Sequence, residues 1–272
     1  MRRILVGVAL LSIVLVGCGD DADNDTAGAD GGDTTTTAAE TTQPSAEAVE
    51  PAAFDVTSVD FGYEFASAEV PAGPVLVSQT NEGSVDHQVQ LIRLDDGMTP
   101  DQLVTTVAEE GDDALDPSIF AGGPNSVRPG ESNAALVELT AGDYVAYCFL
   151  PNHAAQGMVE PFSVTGEPPA EVVTPTAAST IGLSNFEFDV PEDFDGQGTV
   201  EVVNNGDQGH ELTIVTADQT SAGGLTTIAP GATGYIDLAL PPGDYRFVCF
   251  ITDPDSGQIH LQLGMDQPVT IS

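Results

Sequence analysis

The sequence predicts an all-β chain built as two antiparallel β-sandwiches in tandem, with one short helix inserted in the first. Three observations carry this. The composition favours strands and turns, with 29 Gly and 19 Pro among 272 residues, no Trp, and Val and Thr in plenty. Apolar residues alternate with polar or small ones in short runs punctuated by Pro-Gly and Asn-Gly pairs. The later part of the chain also repeats the earlier part landmark by landmark.

The chain opens on a targeting segment. Met1-Arg2-Arg3 is a short positive region, and Ile4 to Val16 is an apolar run broken only by Gly7 and Ser12. Such a run is too short to span a bilayer comfortably and reads as a signal-peptide core, residues 1–17. It ends in Leu15-Val16-Gly17-Cys18, which resembles the lipobox of bacterial lipoproteins. That resemblance implies cleavage before Cys18, lipidation of Cys18, and a protein held on the outer face of the cytoplasmic membrane. Residues 18–53 then hold almost no large apolar side chain and read as a disordered acidic and Thr-rich tether. The Pro-rich stretch 166–179 reads as a linker. Folded segments are therefore expected over 54–165 and 180–272.

In the first segment Phe61, Tyr63 and Phe65 alternate with small or polar residues, as Phe186 and Phe188 do in the second, ahead of the strand-like run from Thr199 to Val203. Ser126 to Leu150 aligns without a gap on Thr227 to Ile251 at an offset of 101, so that Pro129-Gly130, Gly142-Asp143-Tyr144 and Cys148-Phe149 meet Pro230-Gly231, Gly243-Asp244-Tyr245 and Cys249-Phe250. Upstream, Asn81 to His87 matches Asn204 to His210 at an offset of 123, so the first segment carries 22 extra residues. Within them Thr99 is a capping residue and Pro100 suits a first helical position, which predicts the inserted helix.

Charge excludes some functions. Five basic residues stand against 43 acidic ones, a formal net charge of −38. A chain with no basic footprint does not bind nucleic acid, and it is repelled by anionic membrane surfaces, so attachment to a membrane has to be covalent or by insertion.

The chemistry lies in the Cys, His and Met. With Cys18 set aside, the first segment holds His87, Cys148, His153 and Met158, and the second holds His210, Cys249, His260 and Met265. Strand alternation places His87, Val89 and Leu91 on one face, and Tyr144, Ala146 and Cys148 on another. Tyr245, Phe247 and Cys249 share a face in the same way. Two imidazoles, one thiolate and a thioether form a copper set, because soft sulfur favours Cu(I) and imidazole tolerates Cu(II). A disulfide between Cys148 and Cys249 would need two inward positions of different sandwiches to meet.

On these residues both segments resemble the cupredoxin, or blue (type 1) copper, family. The resemblance rests on Asn81…His87 and Pro129-Gly130…Gly142-Asp143-Tyr144…Cys148-x4-His153-x4-Met158, and on their counterparts up to Cys249-x10-His260-x4-Met265. It implies Greek-key sandwiches, one type 1 copper in each, and a second His near the surface as the electron exit. It implies single-electron transfer with a redox partner. Two other readings stay open: a copper-binding or delivery lipoprotein without a redox partner, and a metal-free binding module. Where the family often has Asn after the first His, this chain has Gln88 and Glu211. The second ligand loop also holds Asp253 and Asp255, which predicts a lower reduction potential there than in the first, carboxylate-free loop. Four His, all assigned as ligands, are too few for the further copper centres of a multicopper oxidase or a copper nitrite reductase, so no catalytic role is expected.

Overall fold

A computed structural model of the chain describes residues 48–95 and 97–272. The signal segment and Cys18 lie outside the described residues, as does the tether up to residue 47. The first half comprises β1 (Ala52–Val59), β2 (Gly62–Phe65), β3 (Glu69–Pro71), β4 (Gly73–Asn81), β5 (Gln90–Arg93), helix α1 (Pro100–Glu110), β6 (Phe120–Gly122), β7 (Ser132–Leu139), β8 (Gly142–Tyr147) and β9 (Val159–Thr165). The second half comprises β10 (Ser179–Ser184), β11 (Glu187–Asp189), β12 (Gln197–Asn204), β13 (His210–Thr216), β14 (Ser221–Ile228), β15 (Thr233–Ala239), β16 (Gly243–Val248), the single-turn helix α2 (His260–Leu263) and β17 (Asp266–Ile271).

Each half is a sandwich of two sheets, and each sheet runs on into the other half. One sheet has the order β11-β10-β12-β15-β7-β4-β1-β2, and the other β17-β16-β13-β14-β6-β5-β8-β9-β3. The joints are short: β15 meets β7 through Tyr235–Leu136 and Ile236–Ala135, and β14 meets β6 through Ile228–Ala121. The sheets are mixed rather than wholly antiparallel, since β1 runs parallel to β4 and β10 parallel to β12. The expectation of antiparallel sandwiches is corrected to that extent. Alternation reports which face a side chain takes and carries no information on the direction of the neighbouring strand.

Alternation also explains where the site sits. Along β4 the inward positions are Val75, Val77, Gln79 and Asn81, all buried. The inner face is thus apolar in mid-strand and turns polar at one end. Gln79 there donates to Ser58 Oγ and to the His87 carbonyl at 2.7 and 3.1 Å. Asn81 donates to the Val85 and Val127 carbonyls at 2.8 and 2.7 Å and accepts from Gly83 N–H at 2.8 Å. Asn204 repeats this in the second half, with the Gln208 and Ile228 carbonyls and Gly206 N–H. These amides pin the loop that carries the first His. Tyr144 and Tyr245 close the following corners, donating to the Thr140 and Pro241 carbonyls at 3.0 and 2.8 Å.

The inserted segment forms the predicted helix. Thr99 Oγ1 accepts Gln102 N–H while Gln102 Oε1 accepts Thr99 N–H, Pro100 opens the helix, and Gly111 ends it. Its buried Leu103 joins Leu115, Ile119 and Phe120 on Ile92, Val145 and Tyr147, the outward residues of β5 and β8. The insert therefore covers the outer face of a sheet whose inner face is the main core.

Candidate metal centres

The structure brings the predicted groups together in both halves. His87, Cys148 and His153 offer ligand atoms within 4.8 Å of one another, and so do His210, Cys249 and His260. In the first cluster the two Nδ1 atoms lie 3.2 Å apart and Cys148 Sγ lies 3.3 Å from His153 Nδ1. In the second the matching distances are 3.1 and 3.5 Å. Both thiols are free and buried. Met158 and Met265 are fully buried. Their carbonyls accept the N–H of Cys148 and of Cys249, and their own N–H groups donate to the carbonyls of His153 and His260.

The donor set fits a metal ion. His260 Nε2 faces Gln208 Oε1 at 2.9 Å, and the Gln208 amide nitrogen is committed to Asp253 Oδ1, so Nε2 of His260 carries the proton. His210 Nε2 faces Asn185 Oδ1 at 3.3 Å, and the Asn185 amide donates to Asp207, so Nε2 is protonated there too. Both Nδ1 atoms then present lone pairs to each other across 3.1 Å. A cation held by both rings would relieve that repulsion. Burial lowers the pKa of all four His, that of His210 to about 4, and so keeps the imidazoles in the neutral form a metal needs. Burial pushes both thiols up, against N–H groups of Gln88 and Leu150 aimed at Cys148, and of Glu211 and Ile251 aimed at Cys249. Two imidazoles and a thiol are the donors that suit copper.

The sequence reading missed the groups that hold the ligands. A Cβ on Gly83 would lie 2.6 Å from His87 Nε2, and one on Gly206 would lie 2.6 Å from His210 Nε2, so both glycines are there to admit a ring. Phe61 and Phe186 take positive φ of 61° and 63° and set their rings edge-on to His153 and His260 at 5.3 and 5.2 Å. A bulky residue in that region is strained, and both halves keep the strain at the same place beside the ligand. Phe61 and Phe186 stand at nearly the same offset as the two first His, so extending the repeat alignment upstream would have found them.

The halves differ around this common plan. Beside the first His stands the exposed carboxylate of Asp60, 3.7 Å from His87 Nε2 and held by Ser84, where the second half has Asn185. The first centre is thus not free of carboxylates, because Asp60 comes from a turn distant in sequence from the ligand loop. Glu211 is buried and its carboxyl is pushed up to about 7 by desolvation; it accepts Phe250 N–H at 2.9 Å, just past Cys249. Asn125 of the first half reaches the same place, donating to Thr213 Oγ1 at 2.7 Å. Asp112, from the insert, accepts Thr252 N–H at 3.3 Å in the second ligand loop. His153 is partly exposed, whereas His260 is 0% exposed. The surface position that the resemblance implies for the second His is therefore corrected in the second half, where the longer loop folds over it.

No protein-family model matches the chain, and no curated protein matches it. Among solved structures it is similar to a dithionite-reduced auracyanin from Roseiflexus castenholzii, at 20% identity over 43% of this chain and 99% of that one, TM-score 0.33. It is similar to auracyanin A, a blue copper protein from Chloroflexus aurantiacus, at 17% identity over 42% and 99%, TM-score 0.33. It is also similar to a copper nitrite reductase from Nitrosomonas europaea, at 15% identity over 83% and 94%, TM-score 0.25. The expectation of no catalytic role is overturned here, because the similar chains include enzymes by their titles, this nitrite reductase and a multicopper oxidase. The count of four His bears only on the further copper centres of those two kinds of enzyme and says nothing about other chemistry. The chain itself has a cupredoxin-like fold: two β-sandwiches, each gathering a His–Cys–His cluster at one end.

Proposed function

We propose that each half binds one copper ion as a type 1 centre and that the chain passes single electrons. His87, Cys148 and His153 with Met158 would hold one ion, and His210, Cys249 and His260 with Met265 the other. Copper in such a site supplies a one-electron couple between Cu(I) and Cu(II). The residues supply the rest: buried imidazoles stay neutral, peptide N–H groups support the sulfur, and the sandwich holds the donors in place without reorganisation. The observation that carries this reading is a pair of facing Nδ1 atoms beside a buried thiol, found twice in one chain. Copper-loaded protein is expected to be blue or green from an intense thiolate-to-Cu(II) absorption. Protein that binds copper yet stays colourless under mild oxidants would favour copper delivery, and protein that takes up none would leave a metal-free module.

The same proposal places the chain outside the cytoplasm, tethered through lipid on Cys18. Cys18→Ser is expected to release it from the membrane fraction, because a chain this acidic has no other affinity for the bilayer. A Ser variant that stays with membranes after signal cleavage would refute the anchor.

A further inference from the structure

The two centres share their ligands and differ in what lies over the outward nitrogen of the second His. Val85 and Gln208 occupy the same place, since each offers its carbonyl to the bracing Asn at 2.8 Å. Val85 has no polar group to set over His153, and it stands 41% exposed. Gln208 does have one: its Oε1 accepts His260 Nε2–H at 2.9 Å while its Nε2 donates to Asp253 Oδ1 at 2.9 Å. Asp253 lies in the six residues by which the second ligand loop exceeds the first, and it is 4% exposed. It is fixed from the other side by Ser256 N–H at 2.9 Å, and its own N–H bonds the Gln258 carbonyl at 2.8 Å. The loop is held further by Asp112 on Thr252. His260 thus ends fully enclosed, where His153 keeps an open edge.

We propose that Gln208 and Asp253 form a cover that closes the second centre to outside partners, so that metal and electrons are exchanged with the surroundings at the first centre. This rests on the copper reading above. A reagent that reaches His260 has to break the hydrogen bonds of Gln208 and lift the loop, a local opening that the first centre does not need. Gln208 and Asp253 touch no ligand sulfur and act only by position.

The cover can be tested with and without metal. In the metal-free full chain, diethyl pyrocarbonate should modify His153 about tenfold faster than His260, read peptide by peptide by mass spectrometry. Gln208→Val, which copies the first half, should close most of that gap. Asp253→Ala, which frees Gln208 without replacing it, should act in the same direction. In reduced, copper-loaded chains a Cu(I) chelator should strip Cys249→Ala, which keeps the first centre, about tenfold faster than Cys148→Ala. Adding Gln208→Val to Cys148→Ala should abolish that difference. Equal labelling of the two His in the unaltered chain, no response to either cover variant, or equal stripping of the two centres would overturn the proposal. A chain that keeps the labelling contrast but takes up no copper would retain the cover and refute the copper reading instead.

Discussion

Two glycines decide whether the first imidazole of each centre has room. At Gly83 a methyl group would stand 2.6 Å from His87 Nε2 and 2.8 Å from Asp60 Oδ1. At Gly206 it would stand 2.4 Å from Asn185 Oδ1 and 2.6 Å from His210 Nε2. Neither distance is tolerable, and the ring is the part that has to give, because the Gly lies on a loop pinned by Asn81 or Asn204. Gly83→Ala is therefore expected to weaken copper binding at the first centre by about 10–100-fold, the range for a disturbed support of a ligand. The second centre should be untouched. Titration of Gly83→Ala in a Cys249→Ala background measures this, and unchanged affinity would mean that the loop yields instead of the ring.

At the scale of elements, the inserted helix is the part of the first half that the second lacks. It is well made locally, with a reciprocal cap at Thr99 and Gln102 and Pro100 in its first turn. An 11-residue helix is marginal alone, so its stability comes from docking. Leu103 is the fully buried anchor of that docking, in a small core on the outer face of β5 and β8. Leu103→Ala should cost about 2–5 kcal/mol in denaturant unfolding. A loss below about 1 kcal/mol would place the insert outside the cooperative fold.

Across the whole molecule the halves are not independent, since both sheets continue from one to the other. Charge follows the same route. The second centre is approached by Glu211 and by Asp253 on its own half, and by Asp112 on the insert of the first half. The first centre has Asp60, which is exposed and screened by water. Each ionised carboxylate at about 8 Å in an effective dielectric near 20 favours Cu(II) by roughly 2 kcal/mol before screening, and Glu211, pushed up to about 7 by burial, carries only part of a charge at neutral pH. The first centre is expected to have the higher reduction potential. Cys148→Ala should remove the high-potential signal in a redox titration and Cys249→Ala should preserve it. The reverse result would show that Asp60 outweighs the three carboxylates of the second centre.

The all-β character, the duplication, the helix at Thr99 and Pro100, and the two sets of His, Cys and Met are all legible along the chain. Each of these is written in local periodicity or in exact recurrence along the chain, and inward-facing alternation suffices to aim His87 and Cys148 at one end of a sandwich. The neighbours that complete the centres emerge from the folded chain alone. Asp60 comes to His87 from a turn, Gln208 comes to His260 from across the site, and Asp112 and Asn125 come to the second half from the first. The parallel pairing of β1 with β4 and the continuity of the sheets are of the same kind. Pairing and outer contacts join residues far apart in sequence, and a single chain carries no periodic signal for them; closing the fold is what selects them.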